Sequence, residues 1–149
     1  MGYVTQQEVI DAYGLEAIQA LTDRAEPPRR RIDTGLLQQA IDAAGEIADG
    51  HLAQRYTLPL DRIPAELRAQ VLSLTFFNLH RNRREEIEDG VRQGRDDAMA
   101  FLEKVAKGAV LLTTQTAGSA AAQESGSAGT PLFVAGARTF DTVALRGYW

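Results

Sequence analysis

The chain reads as all-α: a small helical bundle with a long central helix, followed by a flexible linker and an extended, partly β C-terminal arm. Three observations predict this. Apolar residues recur at three- and four-residue steps in separate segments between Thr5 and Lys107. Helix start and stop signals bracket those segments. Beyond Thr113 the composition turns abruptly to Ala, Gly and Ser. The domain boundaries that follow are 1–112 for the helical domain, 113–130 for the linker and 131–149 for a docking arm.

Each element has its own signal. Thr5-Gln6-Gln7-Glu8 is a capping box, in which the Thr5 hydroxyl accepts from the Glu8 amide and the Glu8 carboxylate reaches back to Thr5. Val9, Ile10 and Tyr13 then form a short helix that Gly14 stops, and a second short helix covers about Leu15 to Leu21. Thr22 to Ile32 is a polar connection whose Pro27-Pro28 pair favours an extended path. Asp33 or Thr34 caps a long helix placed at 34–55. Leu37, Ala40, Ile41, Ala44, Ile47, Ala48 and Leu52 line one face of it, and Gly45 and Gly50 weaken it. Pro59 breaks the pattern. Pro64, placed at the first helical position, opens a helix rich in Leu, Val and Phe that fades at Arg81 to Arg84 and forms the centre of the core, with Phe76 and Phe77 inside it. The final helix is placed at 91–107, with Lys104, Lys107 and then Gly108 as its stop signal. Ala109 to Leu112 is an apolar run that fits either strand or coil.

Residues 114–130 carry a single charge, Glu124, and nothing that builds a core. The tail after them holds the only Trp and two of the five Phe, so it is expected to bury itself on its own domain or on a partner. Phe133, Phe140, Tyr148 and Trp149 are its anchors.

Composition excludes several classes of function. With no Cys in the sequence, disulfides, thiolate metal sites and cysteine nucleophiles are ruled out. Two His, His51 and His80, lack ligand partners at metal spacing, and neither cofactor nor metal is expected. Ser73 and His80 lie two helical turns apart, too far for a nucleophile–base pair. The adjacent pairs Asp96-Asp97 and Glu85-Glu86 point in different directions and read as solvated helix faces. No phosphate loop, dinucleotide fingerprint or nucleophile elbow occurs, so no enzyme is expected. No stretch is apolar enough to span a membrane, and Met1 to Glu8 lacks the basic and apolar regions of a secretory signal.

Charge is segregated. Residues 1–28 hold five acids and one base, while the remaining 121 residues hold 15 of each, so the net charge of -4 lies wholly in the first segment. Two basic clusters stand elsewhere: Arg29, Arg30 and Arg31, and Arg81, Arg83 and Arg84. They are candidates for contact with another subunit, for salt bridges with Glu85, Glu86 and Glu88, or for phosphate contact. An acidic surface and a basic patch on one chain suit a head-to-tail interface between copies. Arg55 and Tyr56 are candidates for fixing the turn after the long helix and for touching a neighbour. A different class of function, a small helical DNA-binding regulator using the arginine clusters, is the alternative.

Several segments together resemble a family. Tyr3-Val4-Thr5, Tyr13-Gly14 and Leu21-Thr22-Asp23 are similar to the opening of the small head–tail connector (adaptor, head-completion) proteins of Mu-like phages and prophages. The resemblance continues through Ile41 to Ile47, through Leu52-Ala53-Gln54-Arg55-Tyr56-Thr57-Leu58-Pro59-Leu60 and Ile63-Pro64, and returns at Asp97 to Gly108. Gly50 departs from the pattern, where a larger residue is expected, and Leu72 to His80 is unusually aromatic. The resemblance implies a structural virion protein located at the head–tail interface, and in the host cytoplasm during assembly. It implies copies of the chain in a ring matching a twelvefold portal, with the portal protein above and a neck or tail-completion protein below. Genomic DNA would pass through without sequence-specific binding, and no membrane would be involved.

Overall fold

A computed structural model describes residues 2–83 and 86–113 of the chain. Five helices follow in order: α1 Gln6–Tyr13, α2 Leu15–Thr22, α3 Thr34–Leu52, α4 Ala65–Arg83 and α5 Asp89–Ala106. There is no strand among the described residues, so the all-α expectation holds for the bundle. The linker beyond Thr113 and the expected arm, with Phe133, Phe140, Tyr148 and Trp149, lie outside the described residues, as does Arg84.

The α1 capping box forms as the sequence requires: the Thr5 side chain accepts from the Glu8 amide, and Thr5 N–H donates to the Glu8 carboxylate at 2.7 Å. Gly14 then takes a φ of +89°, a conformation glycine adopts freely, and this turns the chain directly into α2. Of the two candidate caps for α3, Asp33 does the work, accepting from the Gly35 and Leu36 amides at 2.9 and 3.1 Å.

The helix ends depart from expectation by a few residues, each for a local reason. α3 stops at Leu52 rather than 55, because Gln54 N–H and Arg55 N–H bond three residues back, to the His51 and Leu52 carbonyls, which tightens the last turn. Pro64 precedes the first helical residue of α4, and its carbonyl accepts from Arg68 N–H at 3.1 Å. α4 runs on through the arginine cluster to Arg83, where tertiary contacts described below hold its last turn. α5 begins at Asp89, earlier than 91, with the Glu88 carbonyl accepting from Val91 and Arg92 N–H. The Asp89 carboxylate in the first turn favours the helix dipole. At the other end of α5, Gly108 N–H bonds to Val105 O at 3.0 Å and Ala109 N–H to Lys104 O at 2.8 Å, with Gly108 at φ +78°. These two bonds are a Schellman motif.

α3, α4 and α5 form the bundle proper. α4 runs antiparallel to α3: Asn78, late in α4, donates to the carbonyl of Ala40, early in α3, at 3.4 Å. The small residues Ala40, Ala44 and Ala48, all buried, allow that close approach. The short connection after α4 returns α5 alongside it. α1 and α2 form a helical corner that touches both α3 and α4. The core is a single cluster in which Val9, Ile18, Leu37, Leu52, Leu67, Val71, Leu102 and Val105 are fully buried. Burying each large aliphatic side chain contributes about 1.5–3 kcal/mol.

α4 is central by position rather than by composition, since it contacts all four other helices yet is less apolar than α3. Phe76 and Phe77 are correspondingly only half-buried. Phe76 stacks flat on Tyr13 with ring centroids 3.9 Å apart, and the Arg95 guanidinium lies 5.5 Å over the Phe77 ring. Ile47, expected in the buried stripe of α3, is also half-buried. No helix among the described residues is long and apolar enough to cross a membrane.

Candidate functional site

The antiparallel bundle brings the start of α3, the end of α4 and the connection after α2 to one end of the molecule. That end carries both arginine clusters. The connection from Thr22 to Asp33 is a built loop rather than the extended path its prolines suggest. Thr22 is fully buried; its hydroxyl donates to the Ile18 carbonyl at 2.8 Å and accepts from the Asp33 amide at 3.2 Å, so one side chain ties the two ends of the loop together. Inside the loop, the Asp23 carboxylate accepts from Ala25 N–H at 3.2 Å and from Arg30 N–H at 2.7 Å. Desolvation opposes ionisation of Asp23, but the amides of Ala25, Arg30, Arg29 and Arg31 together outweigh it and hold the carboxyl below its ordinary range. Arg30 sits at φ +53°, and its amide faces the Asp23 carboxylate. The side chains of Arg29, Arg30 and Arg31 are all exposed.

The end of α4 meets this loop. The Arg24 guanidinium donates to the Asn82 carbonyl at 3.2 Å, and Arg83 donates to the Ala20 carbonyl near the end of α2. Beside the first of these contacts lies a depression of about 350 Å³, open to solvent and lined by Arg24, Leu36, Gln39, Arg81 and Asn82. Arg81 is exposed and has no ion pair with Glu86 or Glu88. Arg24 is the residue the sequence reading missed: it counted only as the lone base of an acidic segment, and nothing in its neighbours shows that it joins two basic clusters far apart in the chain.

The acidic surface expected of residues 1–28 is smaller than its residue count. Glu8 is held by Thr5 and by Arg68, whose Nη1 stands 2.9 Å from it, and its pKa is lowered chiefly by the Thr5 amide. Asp23 is turned into the arginine loop. Asp11, Glu16 and Glu26 remain exposed.

Arg55 and Tyr56 lie at the opposite end. The Tyr56 hydroxyl accepts from Leu112 N–H at 2.9 Å, pinning the chain as it leaves α5. The Arg55 guanidinium covers Gly108 so closely that a Cβ there would stand 2.2 Å from Nη1. Both side chains make contacts within their own subunit, as the reading that they fix this turn requires. Gly50, by contrast, is exposed, with nothing within 4 Å of where a Cβ would project.

The side chains weighed for chemistry have ordinary structural partners. Ser73 donates to the Ala69 carbonyl at 3.3 Å, His51 Nδ1 pairs with the Ile47 carbonyl at 2.9 Å, and Asp97 accepts from Gln93 at 2.8 Å. His80 is the exception: it stands edge-on to Phe76 at 4.7 Å, and its Nε2 is buried with no hydrogen-bond partner among the described residues. Among the described residues, no group of three His, Asp or Glu side chains is arranged to hold a metal ion.

Comparison with known proteins follows the same line as the architecture. The family model described as "Bacteriophage Mu, Gp36" matches residues 3–130. The "Mu-like prophage FluMu protein gp36" of Haemophilus influenzae is 32% identical over 110 residues, covering 74% of this chain and 74% of that protein.

Proposed function

Since the chain belongs to the bacteriophage Mu Gp36 family, we propose that this Mu-like phage protein is a structural component of the virion, a head–tail connector subunit. In this reading its copies form a ring beneath the portal, twelvefold to match it. The ring extends the DNA channel and docks the next neck or tail-completion protein. The protein works through surfaces and not through catalysis.

One observation carries the reading beyond family membership. Arg29, Arg30, Arg31 and Arg81 are all exposed at one end of a helical bundle, on an organised loop and a helix end. Guanidinium groups displayed on a stiff frame suit contact with carboxylates of a neighbouring subunit or with phosphates of passing DNA. Repetition around a ring turns modest individual contacts into stable association.

Mass photometry and negative-stain imaging of the chain alone and with purified portal test this. A ring on the portal is the expected result. A chain that ignores portal and is absent from purified particles overturns it.

The basic end also supports a second reading, a small helical DNA-binding regulator. Titration with duplex DNA at two salt concentrations separates the two, because tight sequence-specific binding with a steep salt slope belongs to the regulator.

A further inference from the structure

Two exposed features lie at opposite ends of α2. At its first residue, Leu15 is 57% exposed on the corner that Gly14 makes between α1 and α2. Glu16 beside it is exposed, and so is Asp11 in the last turns of α1. A lone exposed leucine needs no explanation. A leucine held on a rigid corner between carboxylates is a shape with a definite complement.

That complement is present on the same chain. The depression beyond the other end of α2 has Leu36 in its wall and two guanidinium groups, Arg24 and Arg81, around it. Arg24 is already oriented by its bond to the Asn82 carbonyl, and Arg81 has no carboxylate partner among the described residues. The volume of about 350 Å³ accommodates one leucine with room for flanking carboxylates. A chain cannot fill its own depression with its own corner, because the eight residues of α2 set the two apart by roughly 12 Å along the helix axis.

We propose that the Leu15 corner of one copy seats in the Arg24–Arg81 depression of the next, with Glu16 and Asp11 facing Arg81 and Arg24. The contact is heterologous: each copy offers a corner and a depression, so the arrangement propagates and closes when the rotation allows. The inference rests on the ring reading above and names the residues that make the ring.

The full-length chain, free of cysteine, gives a clean test. In the double variant Leu15→Cys with Gln39→Cys, oxidation is expected to give a ladder of covalent dimers, trimers and larger species. Each single-cysteine variant stops at the dimer, and Leu15→Cys with Gln93→Cys on α5 gives no ladder. Glu16→Arg and Arg81→Glu, both at exposed positions, are each expected to weaken assembly at least tenfold by sedimentation velocity, and an equimolar mixture of the two to restore it. The mixture works because every interface then pairs either two native faces or two reversed ones. Assembly that proceeds unchanged in both charge variants, or a double-cysteine chain that assembles without a ladder, overturns this contact and leaves the ring reading standing. Loss of assembly on removing residues 131–149, with the charge variants silent, moves the contact between copies to that segment and also overturns the one proposed. A native chain that stays monomeric both alone and on the portal overturns the ring reading and this contact with it.

Discussion

The two ends of the bundle use the same residue type in opposite ways. At the end where α3 and α5 finish, Arg55 lies over Gly108 and Tyr56 holds Leu112, so polar side chains are consumed in closing the fold. At the other end, Thr22 and Asp23 organise the backbone, and the arginines they frame are left facing solvent. Arg83, bonded to the Ala20 carbonyl, shows that even there one arginine is structural. An arginine in a sequence is therefore not in itself a binding residue. Arg24 shows that the two roles can meet in one side chain, since it donates to the Asn82 carbonyl and still lines the open depression.

Breaking the loop at the basic end should have the largest effect. Thr22→Val keeps the volume but removes the hydroxyl from a fully buried site, leaving the Asp33 amide without its partner. A buried donor left unsatisfied costs about 1–3 kcal/mol, which urea denaturation would read as a lowered midpoint at unchanged slope. At the closed end, Gly108→Ala should cost about 1–2 kcal/mol, because φ there is +78° and a side chain resists the left-handed region. Most of that cost should persist in an Arg55→Ala background, since the guanidinium is the flexible end of a long side chain and can move aside. If Arg55→Ala relieves it fully, the clash rather than the backbone sets the requirement for glycine. Tyr56→Phe is smaller, about 0.5–1.5 kcal/mol for one hydrogen bond, and faster amide exchange at Leu112 should accompany it.

The smallest effect is the pH response of the arginine loop. The folded-state pKa of Asp23 lies below its unfolded value, so its contribution is complete at neutral pH and is lost as pH falls through the folded value. The amide resonances of Arg29 to Arg31 should shift together with a midpoint below the ordinary aspartate range. Asp23→Asn should abolish that transition without unfolding the bundle.

Local signals were readable wherever a few adjacent residues decide the outcome. The Thr5–Glu8 box, the break at Gly14, the alanine stripe of α3 and the Gly108 stop all depend on neighbours within about one turn. Features set at longer range were not. Asp23 gathers amides seven residues away, and Arg24 reaches the end of α4, 58 residues on. No periodicity in the sequence encodes either, and the proline pair pointed to an extended path. The end of α4 escaped for the same reason: contacts from Arg24 and Arg83 to neighbouring segments carry α4 through its charge run. Of the candidate site residues, the structure unites Arg29 to Arg31 with Arg81 and Arg83 at one end. It places Arg55 and Tyr56 at the other.

The bond from Leu112 N–H to the Tyr56 hydroxyl has a geometric consequence. Together with the Gly108 turn, it sets both the point and the heading at which the backbone departs from the helices. In any rotationally symmetric assembly, those departure points fall at equal angles on a circle of constant radius. Substitutions at Tyr56 or Gly108 would therefore disturb the starting position of everything downstream in every copy at once, without touching a single residue beyond Leu112.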